Sequence, residues 1–410
     1  MGPSLRRILY LDSYTLDGAG LTQVPSSMSI GYGVTAGQVI RQYLLQQGFE
    51  LIRPLADIKP YTDGSREARL RWVLRGYQRI VDAVIKHQPD LVFIFHSFNA
   101  FPAEVRRILL ELGSPIPMVG YTHGSHWDPS DSERKAHYPG LEVLDLANLM
   151  ALDQILFDSE SIRSTVIDNV RSYSAATADL IAGKSRVVGL PIDTKYIDSH
   201  RSDKVFPRAT VVFNHAPVPA KNPVEFIRVM RRVMPKFDIN VLFTRAFSGG
   251  VEGSVEFAEL REQFRDRVIA GNNMSLGDYY QALWMADIQV STAFHESLGI
   301  ATLEAMYTEN CCLLPFRGSY PEICAGNRSV LYRNEHELEH RLGYFIANPE
   351  ERRAVGMVLA DQARIHSAAA IGPRIISAVE DALAEQHASA RRAGGVGTSR
   401  SHGLAGSADM

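Results

Sequence analysis

The sequence predicts an α/β protein made of two doubly wound halves. Short apolar runs of strand length alternate with segments whose apolar residues recur at helical spacing, which is typical of parallel sheets covered by helices on both faces. A polar stretch at 198–208 separates two such series. With 410 residues, 45% of them hydrophobic, the chain is long enough for two packed domains.

The first series begins with a strand at 8–11 and a helix at 34–47, which ends at Gly48. A favourable helix N-cap, Asp158-Ser159, follows the strand predicted at 155–157. The other predicted elements are helices at 70–85 and 105–112 and strands at 91–95, 117–121 and 186–190.

The second series follows the polar stretch and closes the chain with helices. The predicted strands are 210–213, 239–244, 268–269, 288–291 and 311–315, and the predicted helices are 223–234, 255–264, 279–285, 299–307, 335–347, 349–360 and 369–385. Ligands of doubly wound sheets bind beyond the carboxyl ends of the strands. We therefore expect the site in a cleft between the two halves.

Composition excludes several classes of protein. The 43 Lys and Arg residues against 46 Asp and Glu give a net charge of −3, which lacks the basic excess of a dedicated nucleic-acid binder. Three cysteines form no disulfide framework. No signal peptide and no apolar run of about 18 residues is visible, so we expect a soluble cytoplasmic protein with no membrane partner.

Residues 389–410, rich in Ser, Ala, Gly and Arg, are predicted to be a disordered tail. Oligomeric state leaves no sequence signal.

The sharpest motif is the segment 294–306, which follows a predicted strand and opens a helix. Seven residues separate Glu296, expected in the loop, from Glu304, expected inside the helix. The amides of residues 297–299 would form an anion site at the positive helix end. A diphosphate there would place a ribose near Glu304 and a sugar near Glu296. The alternative is a capping arrangement in which Glu304 points to solvent.

This region resembles the glutamate-x7-glutamate region of retaining GT-B glycosyltransferases of family GT4. The residues that carry the resemblance are 290–306, Leu314-Pro315 and Tyr320-Pro321-Glu322-Ile323. Phe213-Asn214-His215, followed by Lys221-Asn222-Pro223, is similar to the branch with queuosine-tRNA mannosyltransferase-like proteins. Tyr121-Thr122-His123 and Phe157-Asp158-Ser159-Glu160 come in the expected order. The resemblance covers roughly 120–325 and fades in the first 110 residues.

The resemblance implies the GT-B fold, two Rossmann-like domains that face each other across a cleft. It implies an acceptor domain at 1–200, a nucleotide-sugar donor domain at 209–370 and a C-terminal helix at 371–388 that crosses back to the first domain. It also implies retaining transfer of a sugar from a GDP- or UDP-linked donor to a hydroxyl of a small natural product, a modified nucleoside or a tRNA. No cofactor or metal ion is expected.

The same resemblance implies the site residues. His123, Lys221 and Glu296 would be catalytic, with Lys221 neutralising the diphosphate and His123 near the reacting carbon. The donor-binding residues would be His215, Lys221, Arg245, Asn273, Met274, Glu296, Ser297, Leu298, Gly299, Ile300 and Glu304.

One position departs from the family. An Arg usually precedes the Lys, and this chain has His215 there. Arg245 is a candidate for the missing positive charge, and His215 is a ligand contact, a neutral hydrogen-bond donor or a packed residue. Lys221, close to Pro223 at a helix start, suits a phosphate. The alternative for Lys221 is an exposed surface lysine.

Two loops have weaker signals. Asn272-Asn273-Met274 follows a predicted strand, and in the family this loop offers backbone contacts to the nucleotide base, although an Asn pair is also an ordinary turn signal. Gly31 and Gly33 precede the first helix and, by resemblance, would let the backbone approach the diphosphate and acceptor. A plain helix-entry turn is the alternative.

The sequence also contains candidate residues for metal binding and for RNA binding. His123, His126, Asp128 and His137 are possible Zn²⁺ ligands, but Gly124 and Pro129 indicate a loop, and the chain has no Asp-x-Asp pair. We therefore predict no metal site. The arginines at 66, 69, 71, 75 and 79 suit RNA phosphates or, alternatively, a solvated helix face. The rival functions are a sugar-nucleotide epimerase or hydrolase and a non-catalytic nucleotide- or RNA-binding module.

Overall fold

The computed structural model describes residues 6–12, 32–55, 66–95, 101–130, 140–247, 250–271 and 274–396. Within these ranges the strands form two six-stranded parallel sheets, one in each half of the chain. The strands of the first sheet are β1 (Arg7–Leu11), β2 (Glu50–Ile52), β3 (Leu91–Ile94), β4 (Met118–Thr122), β5 (Gln154–Phe157) and β6 (Ser185–Val187). Those of the second are β7 (Ala209–Phe213), β8 (Ile239–Phe243), β9 (Val268–Ala270), β10 (Ile288–Val290), β11 (Cys311–Pro315) and β12 (Leu331–Tyr332).

The strand order reveals where each sheet can bind a ligand. The orders are β2-β1-β3-β4-β5-β6 and β12-β11-β10-β7-β8-β9. The winding direction therefore reverses between β1 and β3 and between β7 and β10, where Val212 of β7 pairs with Gln289 of β10. A crevice forms at such a reversal because neighbouring connections leave on opposite faces of the sheet.

Helices cover the sheets, so the predicted α/β class with two doubly wound halves is confirmed. They are α1 (Tyr32–Gln46), α2 (Arg66–His87), α3 (Pro102–Glu111), α4 (Leu141–Ala151), α5 (Glu160–Tyr173), α6 (Ala175–Gly183), α7 (Thr194–Ser199), α8 (Pro223–Val233), α9 (Ser254–Gln263), α10 (Leu276–Met285), α11 (Ile300–Tyr307), α12 (Tyr320–Ile323), α13 (Glu335–Ala347), α14 (Pro349–Ala363) and α15 (Ala368–Val396). Ser159 is the N-cap of α5, and its side chain accepts a hydrogen bond from the Ile162 amide, as Asp158-Ser159 predicts.

Both faces of the first sheet are buried. Ile8 and Tyr10 of β1 belong to one apolar cluster, whereas Leu9 and Leu11 belong to another on the opposite face. Alternate side chains of a strand point to opposite faces, so a strand that is apolar at every position needs helices on both sides. This explains why residues 8–11 of β1 are all apolar, whereas Arg7 at its start is exposed.

The last helix, α15, leaves the C-terminal half and lies against the N-terminal half. A Cβ at Gly372 would overlap the Tyr43 ring of α1, so only glycine permits this approach. Arg186, which lies in β6, forms an ion pair with Asp381 at 2.7 Å. Apolar and charged contacts thus join the end of the chain to the first sheet.

Two expectations need correction. The tail is predicted to be disordered from 389, whereas the last helix continues to Val396, where Ala388, Ala390 and Ala393 favour helix. Residues 397–410 lie outside the described residues. The helix predicted at 70–85 is present within α2, but its apolar residues are only partly buried, since Leu70 and Leu74 are each 58% exposed. The short β2 and β12 and the helices α4, α6, α7 and α12 were not predicted.

Candidate functional site

The loop between β10 and α11 is attached to the turn that follows β7. The amide of Phe294 donates to the carbonyl of Ala220 at 2.8 Å, and the hydroxyl of Thr292 donates to the carbonyl of Lys221 at 3.0 Å. Since β7 and β10 flank the reversal of the second sheet, these bonds form one surface from the two segments that the sequence singled out. We call residues 291–299 the donor loop.

Lys221 and Glu296 form an ion pair on this surface. Lys221 Nζ lies 2.6 Å from Glu296 Oε2, and the two side chains are 21% and 14% exposed. Burial alone would raise the pKa of Glu296, but the charge and hydrogen bond of Lys221 hold that pKa below its usual value. Lys221 is therefore not a solvent-exposed surface lysine. A cation is fixed where the resemblance expects a phosphate.

Two glycines with left-handed backbone allow the chain to approach Glu296 closely. Gly318 has φ 54°, and a Cβ at this position would lie 2.9 Å from the carbonyl oxygen of Glu296. Gly299 has φ 89°, and its Cβ would lie 3.1 Å from Cγ of Glu296. Any larger residue at Gly318 would displace the donor loop. The role of Gly318 had no signal in the sequence.

His215 follows β7 and is buried and neutral. Its Nε2 lies 3.2 Å from the side-chain nitrogen of Gln289, which donates to it. Burial, together with the nearby positive charge of Lys221, lowers the pKa of His215 from 6.5 to about 4. The residue that stands in place of the family's arginine therefore supplies no positive charge at neutral pH.

Acid is expected to destabilise the protein through His215. Because its pKa is 6.5 when unfolded and about 4 when folded, the unfolded chain binds the proton first, and stability is lost as the pH falls from 6.5 towards 4, by about 3 kcal/mol in full. Urea unfolding at pH 7 and pH 4.5 tests this with His215→Asn, which should lose less stability than the wild type on acidification. His366, whose pKa is also lowered to about 4 by burial, acts equally in both proteins. Equal losses would contradict the assignment.

Glu304 lies inside α11 and is only 5% exposed, so the alternative in which it points to solvent is wrong. Its two carboxylate oxygens each accept a hydrogen bond of 2.8 Å, Oε2 from the Tyr279 hydroxyl and Oε1 from that of Tyr280. Burial raises the pKa of Glu304, and the tyrosine bonds and the charge of Arg245 offset this only in part. Each carboxylate oxygen keeps a second lone pair, which could accept from a ribose hydroxyl.

A chain of buried hydrogen bonds connects Glu304 with His215. The side-chain nitrogen of Asn214 donates to the Tyr279 hydroxyl at 3.1 Å, and that of Gln289 lies 3.3 Å from Asn214 Oδ1. The guanidinium carbon of Arg245 lies 5.8 Å from the centre of the Tyr279 ring. The positive charge of Arg245 is thus placed beside the tyrosines and Glu304. The sequence assigned no role to Tyr279, Tyr280 or Gln289.

The amino end of α11 closes the donor loop. Gly299 is the N-cap residue, and its carbonyl accepts the first helical hydrogen bond, from the Leu303 amide at 2.9 Å. Leu298 is buried, and Ile300 begins the helix. The positive end of the helix dipole therefore lies directly behind Glu296, where an anion would be favoured.

His123 belongs to the N-terminal half and is held from both sides. Nδ1 lies 3.1 Å from both carboxylate oxygens of Asp158, and Nε2 lies 2.6 Å from the carbonyl oxygen of Phe95. Tyr121 stacks on the ring at a centroid distance of 5.3 Å. The contacts with Asp158 and the Phe95 carbonyl fix the orientation of the His123 ring.

The remaining predicted positions are less informative. Gly31, Asn273 and His137 lie outside the described residues. Gly33 lies in the first turn of α1. Met274 is half-buried and packs against Gly271, where a Cβ would meet its methyl group.

The structure also bears on metal binding, membrane insertion and RNA contacts. In the part of the chain that the structure describes, no three His, Cys, Asp or Glu side chains are grouped as metal ligands. Among the described helices, none is long and apolar enough to cross a bilayer. On α2, Arg71 pairs with Glu67 at 2.7 Å and Arg79 contacts the Pro54 carbonyl at 3.5 Å. These two arginines therefore make contacts within their own half.

Some known proteins are similar to this chain in sequence or in fold. No protein-family model matches the chain. Over 233 residues the chain is 22% identical to the tRNA-queuosine alpha-mannosyltransferase of Drosophila melanogaster, an alignment that covers 53% of this chain. The alignment spans 60% of that relative's length.

Solved structures share the fold over nearly the whole chain. Sucrose-phosphate synthase from Thermosynechococcus elongatus superposes with a TM-score of 0.71 at 12% identity, covering 93% of this chain and 100% of that one. For α,α-trehalose 6-phosphate synthase from Burkholderia multivorans the TM-score is 0.67 at 12% identity, with 99% and 100% covered. Anabaena HepE in complex with UDP gives 0.58 at 13% identity, with 92% and 100% covered.

Proposed function

We propose that this chain, which has the GT-B fold, is a retaining glycosyltransferase of the GT4 type that moves a sugar from a nucleoside diphosphate to an acceptor hydroxyl. The observation that carries the proposal is the 2.6 Å pair of Lys221 and Glu296 at the amino end of α11. A fixed cation and a positive helix end suit a diphosphate. Glu304, buried in the same helix, suits the ribose hydroxyls.

The chemistry requires little of the protein besides preorganised charge. When the bond between the anomeric carbon and the diphosphate oxygen breaks, negative charge builds on the phosphate, and Lys221 and the amides of Leu298 and Gly299 would stabilise it. The acceptor oxygen attacks from the face that the diphosphate leaves. Its proton passes to the departing phosphate oxygen, and because attack occurs on that same face the anomeric configuration is retained. His123, whose ring is held by Asp158 and the Phe95 carbonyl, would lie near the reacting carbon on the N-terminal side of the cleft.

Donor and acceptor are proposed by class. The tRNA-queuosine mannosyltransferase relative favours a mannosyl donor and an RNA-borne acceptor, whereas a UDP-linked sugar and a small natural product are the other members of the proposed class. We propose a cytoplasmic, metal-independent enzyme. Lys221, Arg245 and the end of α11 provide positive charge for a diphosphate without a divalent ion.

A thermal-shift panel tests the donor site. We expect one of GDP, UDP and dTDP, with the matching nucleotide sugar, to raise the melting temperature in the presence of EDTA, because a ligand at 100 times its Kd adds about 2.7 kcal/mol of stability. A shift that EDTA abolishes and Mg²⁺ restores would contradict metal independence. The absence of any shift would contradict the donor site itself.

Product analysis with the bound nucleotide sugar separates the rival functions. Release of free sugar without an acceptor would indicate a hydrolase, and a changed sugar nucleotide would indicate an epimerase. Binding with no turnover for any acceptor would indicate a non-catalytic module. Transfer to a hydroxyl acceptor is the outcome that supports the proposal.

A further inference from the structure

Residues 158–161, at the carboxyl end of β5, contact both halves of the protein. Asp158 holds the His123 ring within the N-terminal half. The hydroxyl of the next residue, Ser159, donates to the carbonyl of Ser297 in the donor loop at 2.5 Å. One short segment therefore links the predicted catalytic histidine to the loop that carries Glu296.

The following two residues bind a carboxylate of the C-terminal half. The amide of Glu160 donates to Glu322 Oε1 at 3.0 Å, and that of Ser161 donates to Oε2 at 3.1 Å. These are the first two residues of α5, whose amides have no acceptor within their own helix. A negative charge at this end is also favoured by the helix dipole. Glu322 thus accepts hydrogen bonds from the first two amides of a helix that belongs to the other half.

A second contact fastens the same loop. His295 Nδ1 lies 2.9 Å from the Ser130 hydroxyl and 3.5 Å from Asp128 Oδ2, both in the N-terminal half. The residues on each side of Glu296, His295 and Ser297, are therefore both bonded across the cleft. Glu322 itself is exposed, so the core of the C-terminal half does not require its carboxylate.

We infer that Glu322 is a positioning residue that clamps the two halves together and holds the donor loop against the segment that orients His123. Its meaning for catalysis rests on the proposed function. The bidentate contact with α5 favours the closed arrangement, in which donor and acceptor sides of the cleft meet. Without that carboxylate the halves separate more often, and the donor site, which lies in the C-terminal half, still binds nucleotide.

Hydrogen exchange measures the clamp directly. In the full-length protein, Glu322→Ala should speed exchange of the amides in peptide 159–163 by about tenfold, because two protected amides lose their acceptor. Small-angle X-ray scattering should show a larger radius of gyration. Glu322→Gln, which keeps one acceptor oxygen, should be intermediate. The control is Glu337→Ala, since Glu337 accepts the Arg333 amide at 3.0 Å within its own half.

Binding and turnover test the positioning role. For Glu322→Ala, the Kd of GDP or UDP should stay within about twofold, whereas kcat with GDP-mannose or UDP-glucose falls about tenfold or more at unchanged donor KM. Unaltered exchange and scattering would overturn the clamp, and unaltered kcat in a variant with faster exchange would overturn its role in positioning. A wild-type protein that binds neither GDP nor UDP would contradict the proposed function, and the exchange result would still decide the clamp.

Discussion

Replacement of Lys221 by alanine is expected to slow sugar transfer by about 10²- to 10³-fold, the effect of one preorganised donor that stabilises developing charge. Lys221 is the cation that pairs with Glu296 of the donor loop, at 2.6 Å. Its loss removes the positive charge that would stabilise the departing diphosphate. It also leaves Glu296, whose side chain is 14% exposed, without its ion-pair partner. Initial rates with the nucleotide sugar identified by thermal shift measure the effect, and the nucleotide Kd should rise as well.

Lys236→Ala is the matched control. Lys236 lies in the same half, pairs with Glu339 at 2.7 Å and is 60% exposed, so the change removes an ion pair without altering the site. Melting temperatures of both variants show whether either loses its fold. Full activity in a folded Lys221→Ala protein would remove Lys221 from the mechanism.

Replacement of Glu304 by alanine is expected to weaken nucleotide binding by about 1.5–3 kcal/mol, the range for a lost hydrogen bond to a charged group. In Kd this is roughly 10- to 150-fold. The same change leaves the Tyr279 and Tyr280 hydroxyls without their acceptor, so stability falls too. Affinity must therefore be compared in a way that does not depend on folding.

A ribose analogue provides that comparison. Calorimetry with a nucleoside diphosphate and its 2′,3′-dideoxy analogue gives a ratio of Kd values for each protein. The wild type should prefer the ribose form, and Glu304→Ala should lose most of this preference. A variant that discriminates as strongly as the wild type would show that Glu304 does not contact the ribose. Glu304→Gln, which keeps one acceptor oxygen for the tyrosines, separates lost charge from lost support.

The donor loop shows how far the sequence can predict a site. A strand, a loop glutamate and a helix with a second glutamate were predicted from spacing, and the structure places α11 at Ile300–Tyr307 with Glu304 inside it. The prediction was possible because strand and helix periods are local properties of the chain. The direction in which the Glu304 side chain points depends on distant segments of the chain. The sequence therefore left two alternatives, contact with a ribose and exposure to solvent.

The residues that support the site had no such signal. Tyr279 and Tyr280 precede Glu304 by 25 and 24 residues. Gly318, which lies close to the carbonyl of Glu296, belongs to a different loop, later in the chain. Glu322 meets α5 across 162 and 161 residues of chain. In the sequence, the two tyrosines and Gly318 resemble ordinary helix or turn residues, and Glu322 belongs to the segment that carries the resemblance but has no partner assigned to it. Contacts of this range depend on how the two sheets are placed, and periodicity contains no information about that.

By itself, the sequence determined that the protein alternates strands and helices in two halves, and it predicted an anion site at the start of α11, because hydrophobic period and helix polarity act within a few residues. The resemblance then suggested which residues bind a donor. Only the tertiary structure decided that His215 is neutral, that Glu304 is held by two tyrosines and that residues 158–161 join the halves. Burial and hydrogen bonding between distant segments set those properties, and they exist only once the sheets have come together.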